Sequence, residues 1–430
     1  MEDTDKRPFG FWTATALVVG GVIGAGIFVL PSQLAVYGWT AVGAWVLGGF
    51  GTILIALVLS AVAEAKPEEP GLIAVIGETL GPVAGVLAGF GAWVSYWCAN
   101  AYIALTSVRY AGTFWPDLAA TPQRQAVSAS VLIAALTLLN LSGLKSSGRF
   151  QVVTTVLKLV PLIAVVGIVA VMVMSGGGEL SRYPQPAFEG SKLFDASSLA
   201  FAAIMGFESA ALAAQRVRNP GRNVPRATII GVVLSCLLYL VVCTGVIFGL
   251  PGDAVANSNA PVADFVGAQW GGWAKLAVAA FAVISTVGCL NVWVLMQGEV
   301  PLALVRSGQL PGWLAVTNKH DVAWQPLVFA STLSCVLMLV ASWGNGAGLM
   351  DFMIRLTSDS GIWIYAFACI AALVLKVRRV AASLGLLFAA GLFYGGGRDI
   401  FLLSLALMAM ALPLYWLARR SGVRTAAVSG

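Results

Sequence analysis

The chain has 430 residues, 59% of them hydrophobic and only 10% charged, with a formal net charge of +6. A soluble domain carries about 25% charge, so this composition excludes a water-exposed surface and points to one that faces lipid. Six cysteines, all in apolar runs without a CxxC pair, and a single histidine, His320, in a polar loop give no ligand set for a metal or a histidine-based catalytic centre, and no cofactor is expected.

Met1 to Pro8 is polar, and the apolar run after it is too long for the core of a signal peptide. A membrane-spanning helix needs about 20 mostly apolar residues. Runs of that kind fall at 10–30, 40–63, 81–108, 125–143, 152–175, 196–215, 227–250, 272–298, 326–343, 349–375, 380–396 and 400–418. Helices are expected throughout, because backbone groups in lipid must bond within their own segment. The reading is therefore an all-α membrane protein of about twelve transmembrane helices.

Lys and Arg set its orientation. With Lys6 and Arg7 placed inside, the same side receives Lys66, Lys145, Arg149, the Arg216–Arg226 cluster, Arg306, Lys319, Lys376, Arg378, Arg379 and the C-terminal arginines. The other side receives Arg109, Arg124, Arg182, Lys192, Lys275 and Arg398. Both termini are thus expected in the cytoplasm, with the chain in the cell inner (plasma) membrane. The basic residues serve topology and lipid headgroups, so nucleic acid is not an expected partner.

Two spans carry interruptions at similar depth. The first holds Gly20-Gly21-Val22-Ile23-Gly24-Ala25-Gly26, and the sixth holds Met205-Gly206-Phe207-Glu208. Glycine inside a helix costs about 1 kcal/mol relative to alanine, so such pairs mark backbone that leaves the helix. Interruptions five spans apart fit two five-helix repeats, the second inverted. The domains follow: a cytoplasmic N-terminus 1–8; an inverted-repeat core 9–375, with repeats about 9–176 and 196–375; two peripheral helices 376–418; and a cytoplasmic tail 419–430.

At these residues the chain resembles the amino acid–polyamine–organocation superfamily. Gly24-Ala25-Gly26-Ile27-Phe28-Val29-Leu30-Pro31 is similar to its G-[SA]-G-[IV]-F-x-L-P motif, and Gly206-Phe207-Glu208-Ser209-Ala210 to its G-x-E-S-A motif. The loop Asn219-Pro220-Gly221-Arg222-Asn223-Val224-Pro225-Arg226-Ala227 is similar to the family's N-P-x-R-N-V-P-x-A. Within the superfamily the resemblance is to the basic amino acid/polyamine antiporters, such as the arginine–agmatine exchanger.

The resemblance implies a 5+5 inverted-repeat core with helices 1 and 6 broken. It also implies a substrate site: Val22, Ile23, Ala25 and Gly26 on the first break, Ser95, Tyr96 and Asn100 on the third span, and Ala202, Met205, Gly206 and Glu208 on the sixth. Trp293 and Thr357 complete it from the eighth and tenth. Bare N–H groups at the first break can hold a substrate carboxylate; close helix packing is the other reading of those glycines. Glu208 is a mid-membrane carboxylate, which usually faces a cavity or a partner; it suits a substrate amine or a proton, or a structural bond to unwound backbone. Trp293 can cover a cation or simply fill the core.

Lys158, mid-way along the fifth span, stands where sodium-coupled relatives hold a sodium ion. It is either a fixed structural cation or, with Glu208, a coupling residue. Ala92 and Ala202 replace aromatics of the arginine exchanger, which weakens the case for arginine itself. Asp351, Arg355 and Asp359 share one face of the tenth span, as a local charge ladder or as part of a gate.

The expected function is secondary active transport of an amino acid, as an amino acid/amine antiporter working by alternating access. A proton-coupled symporter or an exporter of neutral amino acids is the alternative. The expected partners are the amino acid or amine and membrane lipid, and a homodimer stays open. A membrane-embedded enzyme is not supported, and stereoselective counterflow separates a carrier from a channel or sensor.

Overall fold

The computed structural model describes residues 10–66, 69, 71–142, 148–178, 180, 182–207, 217–306, 308–320, 322–344 and 348–420. In chain order the helices are α1 (Phe11–Val22), α2 (Gly26–Leu34), α3 (Trp39–Ala65), α4 (Leu72–Leu80), α5 (Pro82–Ala111), α6 (Pro122–Leu141), α7 (Gly148–Met174), α8 (Leu193–Ile204) and α9 (Pro220–Gly249). They continue as α10 (Gly252–Ala256), α11 (Pro261–Trp270), α12 (Gly272–Arg306), α13 (Trp324–Gly344), α14 (Leu349–Val374), α15 (Arg379–Gly396), α16 (Arg398–Ala409) and α17 (Ala411–Arg420). The described residues form no strand beyond one isolated bridge, Thr317 with Ala323.

Ten of these spans are long and apolar enough to cross a membrane, the last formed by α16 running into α17, and α1 with α2 adds an eleventh bent by 48°. Most of their ends agree with the sequence reading to within a few residues, but α9 begins seven residues before position 227 and α12 ends eight residues after position 298, and the expected span 196–215 is described only as α8. The short helices α4, α10 and α11 lie in segments read as loops, because none reaches spanning length.

Burial separates centre from periphery. In an 18-residue apolar stretch of α5, 72% of the residues are buried, against 17% in that of the α16–α17 span. Helix α5 packs between α12 and α14, and α1 lies along α9. Val46, Phe50, Val131, Leu138, Ile163, Val171, Val340 and Leu387 face outwards, as lipid contact demands. Exposed Trp12, Trp39, Trp115, Trp273, Trp324 and Trp343 sit near helix ends, where amphipathic rings favour the membrane interface.

One end of the bundle is covered by connecting segments. Trp39 N–H donates to Pro186 O at 3.0 Å, pinning the segment before α8 over the α2–α3 corner. The Tyr110 hydroxyl donates to Phe28 O (2.8 Å) and accepts from Val262 N–H (3.3 Å), so α5 ties α2 to α11.

Candidate functional site

Helix α1 stops at Val22, and Ile23 turns to an extended ψ of 91°. Helix α2 starts at Gly26. The last carbonyls of α1 and the first N–H groups of α2 therefore lack partners within their own helices. Two side chains from other helices take up the carbonyls. Lys158 of α7, buried, donates from Nζ to Gly20 O (2.8 Å) and Ile23 O (2.6 Å). Tyr239 of α9 donates from its hydroxyl to Val22 O (3.1 Å) and lies 3.3 Å from Ala203 O on α8. A cation at a helix C-terminus also meets the negative end of its dipole.

Helix α8 stops at Ile204, where Met205 takes a ψ of 150°. Gly206 follows with φ +99°, backbone that favours glycine. A Cβ there would stand 2.7 Å from Gly21 O, so the two interruptions touch backbone to backbone. A Cβ on Gly26 would stand 2.5 Å from the Ala203 Cβ.

Between the breaks lies a small cavity of about 10 Å³, room for about one water molecule. Of the residues singled out from sequence, Val22, Gly26, Ala202, Met205, Trp293 and Thr357 line it. Ile23 and Ala25 belong to the turn beside it. The Tyr96 ring meets Trp293 edge to face at 5.1 Å, behind the cavity wall. Ser95 donates to Thr357 O (2.9 Å), joining α5 to α14, and the Thr357 hydroxyl donates to Met353 O (2.8 Å) on its own helix.

Asn100 is turned to a different task. Its Nδ2 donates to Gln297 Oε1 (2.7 Å), and Gln297 donates on to Ser331 (2.6 Å). This polar ladder joins α5, α12 and α13. Glu208 and the rest of its motif, through Ala210, lie outside the described residues, as does Arg216.

Sequence reasoning missed Ala99, Tyr102 and Cys289 in the cavity wall, and Tyr239 behind it. Alanine, cysteine and tyrosine in apolar helices read as core. The available signal was only that a buried tyrosine hydroxyl needs a partner.

Towards the end of the bundle covered by the 182–190 segment, a charged cluster joins four elements. Arg355 of α14 pairs with Asp195 at the start of α8 (2.6 Å) and with Asp351 on its own helix (2.8 Å). It also donates to Gly395 O of α15 (3.0 Å) and to the Tyr37 hydroxyl just beyond α2 (3.1 Å), and Tyr37 donates to Asp195 (2.8 Å). The expected ladder thus forms only in its first half: Arg355 bonds Asp351, while Asp359 has no hydrogen-bond partner among the described residues. The cluster fastens α8 and the turn after α2 to α14 and α15 at this end of the bundle.

A multi-pass helical membrane protein in which a broken helix meets the end of another at a buried cavity is built as a solute carrier. The amino acid permease family model matches residues 9–418, so the chain belongs to the amino acid permease family; it is a transporter and not an enzyme. It is similar to a cadaverine/lysine antiporter of Escherichia coli (strain K12), 27% identical over 80% of this chain and 77% of the relative. It is also similar to a putative arginine/ornithine antiporter of Bacillus subtilis (strain 168), 28% identical over 79% of this chain and 77% of the relative. An arginine/agmatine antiporter of Chlamydia pneumoniae is 24% identical over 95% of this chain and 90% of the relative.

Proposed function

We propose that this permease is a secondary active antiporter that exchanges an amino acid for a related amine or amino acid by alternating access. The observation that carries the reading is the meeting of the α1–α2 break with the end of α8 at a small cavity walled by Trp293 and Tyr102. The N–H groups that start α2 suit a substrate carboxylate, helped by the positive end of the helix dipole. The Trp293 ring suits a substrate cation, and Glu208 supplies the opposite charge to an amine. The relatives are named for lysine, arginine, ornithine, cadaverine and agmatine, which supports a cationic substrate pair.

The same reading gives the finer architecture. The core is a 5+5 inverted repeat over about 9–375, with two peripheral helices behind it, and both termini are cytoplasmic at the cell inner membrane. The Tyr37 end then faces outwards, and the described form is closed to that side. Lys158 occupies the place of a coupling cation, which supports exchange without sodium.

Counterflow into proteoliposomes tests this. Labelled lysine, arginine, ornithine, cadaverine and agmatine are offered with and without internal unlabelled substrate. Uptake is expected only for pairs loaded on both sides, and Glu208→Ala should abolish it while expression is retained. Uptake that ignores internal substrate for every compound would overturn the exchange mechanism.

A further inference from the structure

One turn from Arg355, deeper along α14, Asp359 is fully buried, and neither of its carboxylate oxygens has a hydrogen-bond partner among the described residues. It stands ten residues past Leu349, the first residue of its helix. At 1.5 Å per residue that is about 15 Å along the helix, near mid-membrane. Its carboxylate lies against Gly396 of α15, so closely that an added Cβ there would collide with it. The hydroxyls of its neighbours Ser358 and Ser360, and of Ser198 on α8, are likewise buried without a partner among the described residues.

Arg355 is the natural counter-charge, four residues away on the same face. Its guanidinium is engaged elsewhere: Nε on Asp351, Nη1 on Asp195 and Gly395 O, Nη2 on Tyr37. Other titratable groups on the elements around Asp359 are Asp351, Tyr365 and Cys369 on α14, Asp195 on α8, Tyr37 beyond α2, Glu64 on α3, Glu78 on α4, Tyr96, Cys98, Tyr102, Arg109 and Tyr110 on α5, Arg379 and Tyr394 on α15, and Arg398 and Asp399 on α16. An anion at this depth with no donor and no exposure is strongly disfavoured, whereas the neutral acid carries only the smaller cost of an unpartnered polar group.

We propose that Asp359 is a proton-binding site that controls the gate formed by Arg355. The site holds a proton while Arg355 fastens α2, α8 and α15 together. When α2 and α8 swing away, Asp195 and Tyr37 leave the guanidinium, and water enters from the Tyr37 end. The O–H bond of the acid then breaks with its electron pair kept by the carboxylate, the proton passes to water, and Arg355 turns down one helical turn to pair with the new anion. Closing reverses each step. The proton therefore favours the closed gate, and raising the pH favours the open one, by at most about tenfold per pH unit for one proton. This inference rests on the alternating-access reading.

The test uses Ser198→Cys, a reporter on the helix that must move, in proteoliposomes. A membrane-impermeant thiol reagent is applied from acidic to mildly alkaline pH. Each rate is divided by that of a free thiol at the same pH and compared with the parent chain, and counterflow is measured in the same vesicles at one pH. The corrected rate should rise with pH, with Asp359→Glu keeping the slope and Asp359→Asn, a mimic of the protonated acid, labelling slowly at every pH. A flat corrected rate with Asp359 in place overturns the proposal without recourse to any Asp359 variant. A slope unchanged in Asp359→Asn assigns it to Asp195 or Asp351 and overturns it equally. Normal counterflow beside flat labelling rejects the proton site alone, whereas absent counterflow rejects the transport reading.

Discussion

Lys158 and Tyr239 act on the same problem, the carbonyl oxygens that the interruption of α1 leaves without amide partners. A buried polar group left unpartnered costs about 1–3 kcal/mol. Tyr239→Phe keeps the ring, which stacks on Trp45 at 4.8 Å, and removes only the hydroxyl. It should lower stability by about 1–3 kcal/mol, read by thermal shift in detergent, and slow counterflow; an unchanged melting temperature would show the hydroxyl to be idle. Lys158→Met strands two carbonyls and should cost more, with loss of exchange. Lys158 was legible in the sequence because a lone charge in an apolar run must find partners. Tyr239 was not, since nothing local separates it from a tyrosine that merely fills the core. Asn100 shows the opposite case: its position suited a substrate contact, but its partner Gln297 is 197 residues away and no local pattern announces it.

Glycine density marked the interruption of α1 in the sequence, because glycines in a row weaken any helix; at the end of α8 the mark was a single glycine, Gly206, near the carboxylate Glu208. What the sequence could not do was rank the glycines, since their roles depend on what lies across the gap. Gly20 has open space where a Cβ would go. Gly26 abuts Ala203, and Gly206 combines a φ of +99° with the backbone of Gly21. Gly20→Ala should therefore keep near-normal counterflow, while Gly26→Ala and Gly206→Ala should each lower it at least tenfold with the protein still folded. Equal effects at all three positions would contradict the contact between the breaks. Most ends of the long spans were read to within a few residues because burial in lipid demands about 20 apolar residues; the polar ends of α9 and α12, which carry Arg222, Arg226 and Arg306, run on beyond that apolar run. The helices α4, α10 and α11 carry no such length signal.

At the scale of the whole molecule, the cavity is about 10 Å³, and the Arg355 cluster ties α8 and the turn after α2 to α14 at the Tyr37 end. No amino acid fits such a space, so on the alternating-access reading the molecule must open to load, and in the proposed gate the strength of the Arg355 cluster sets how often it does. Arg355→Gln should favour the open gate, speed labelling of Ser198→Cys and reduce exchange. The sequence placed Asp351, Arg355 and Asp359 on one face but left Asp195 and Tyr37 unconnected, because the cluster joins segments more than 150 residues apart. The central claim, that the helix breaks enclose the transported solute, is tested most directly by substrate protection of Ala202→Cys in the cavity wall. Modification by a small thiol reagent should stop counterflow, and a transported substrate should block modification with the concentration dependence of its own uptake. Transport that survives full modification, or modification that no transported substrate slows, would place the solute elsewhere.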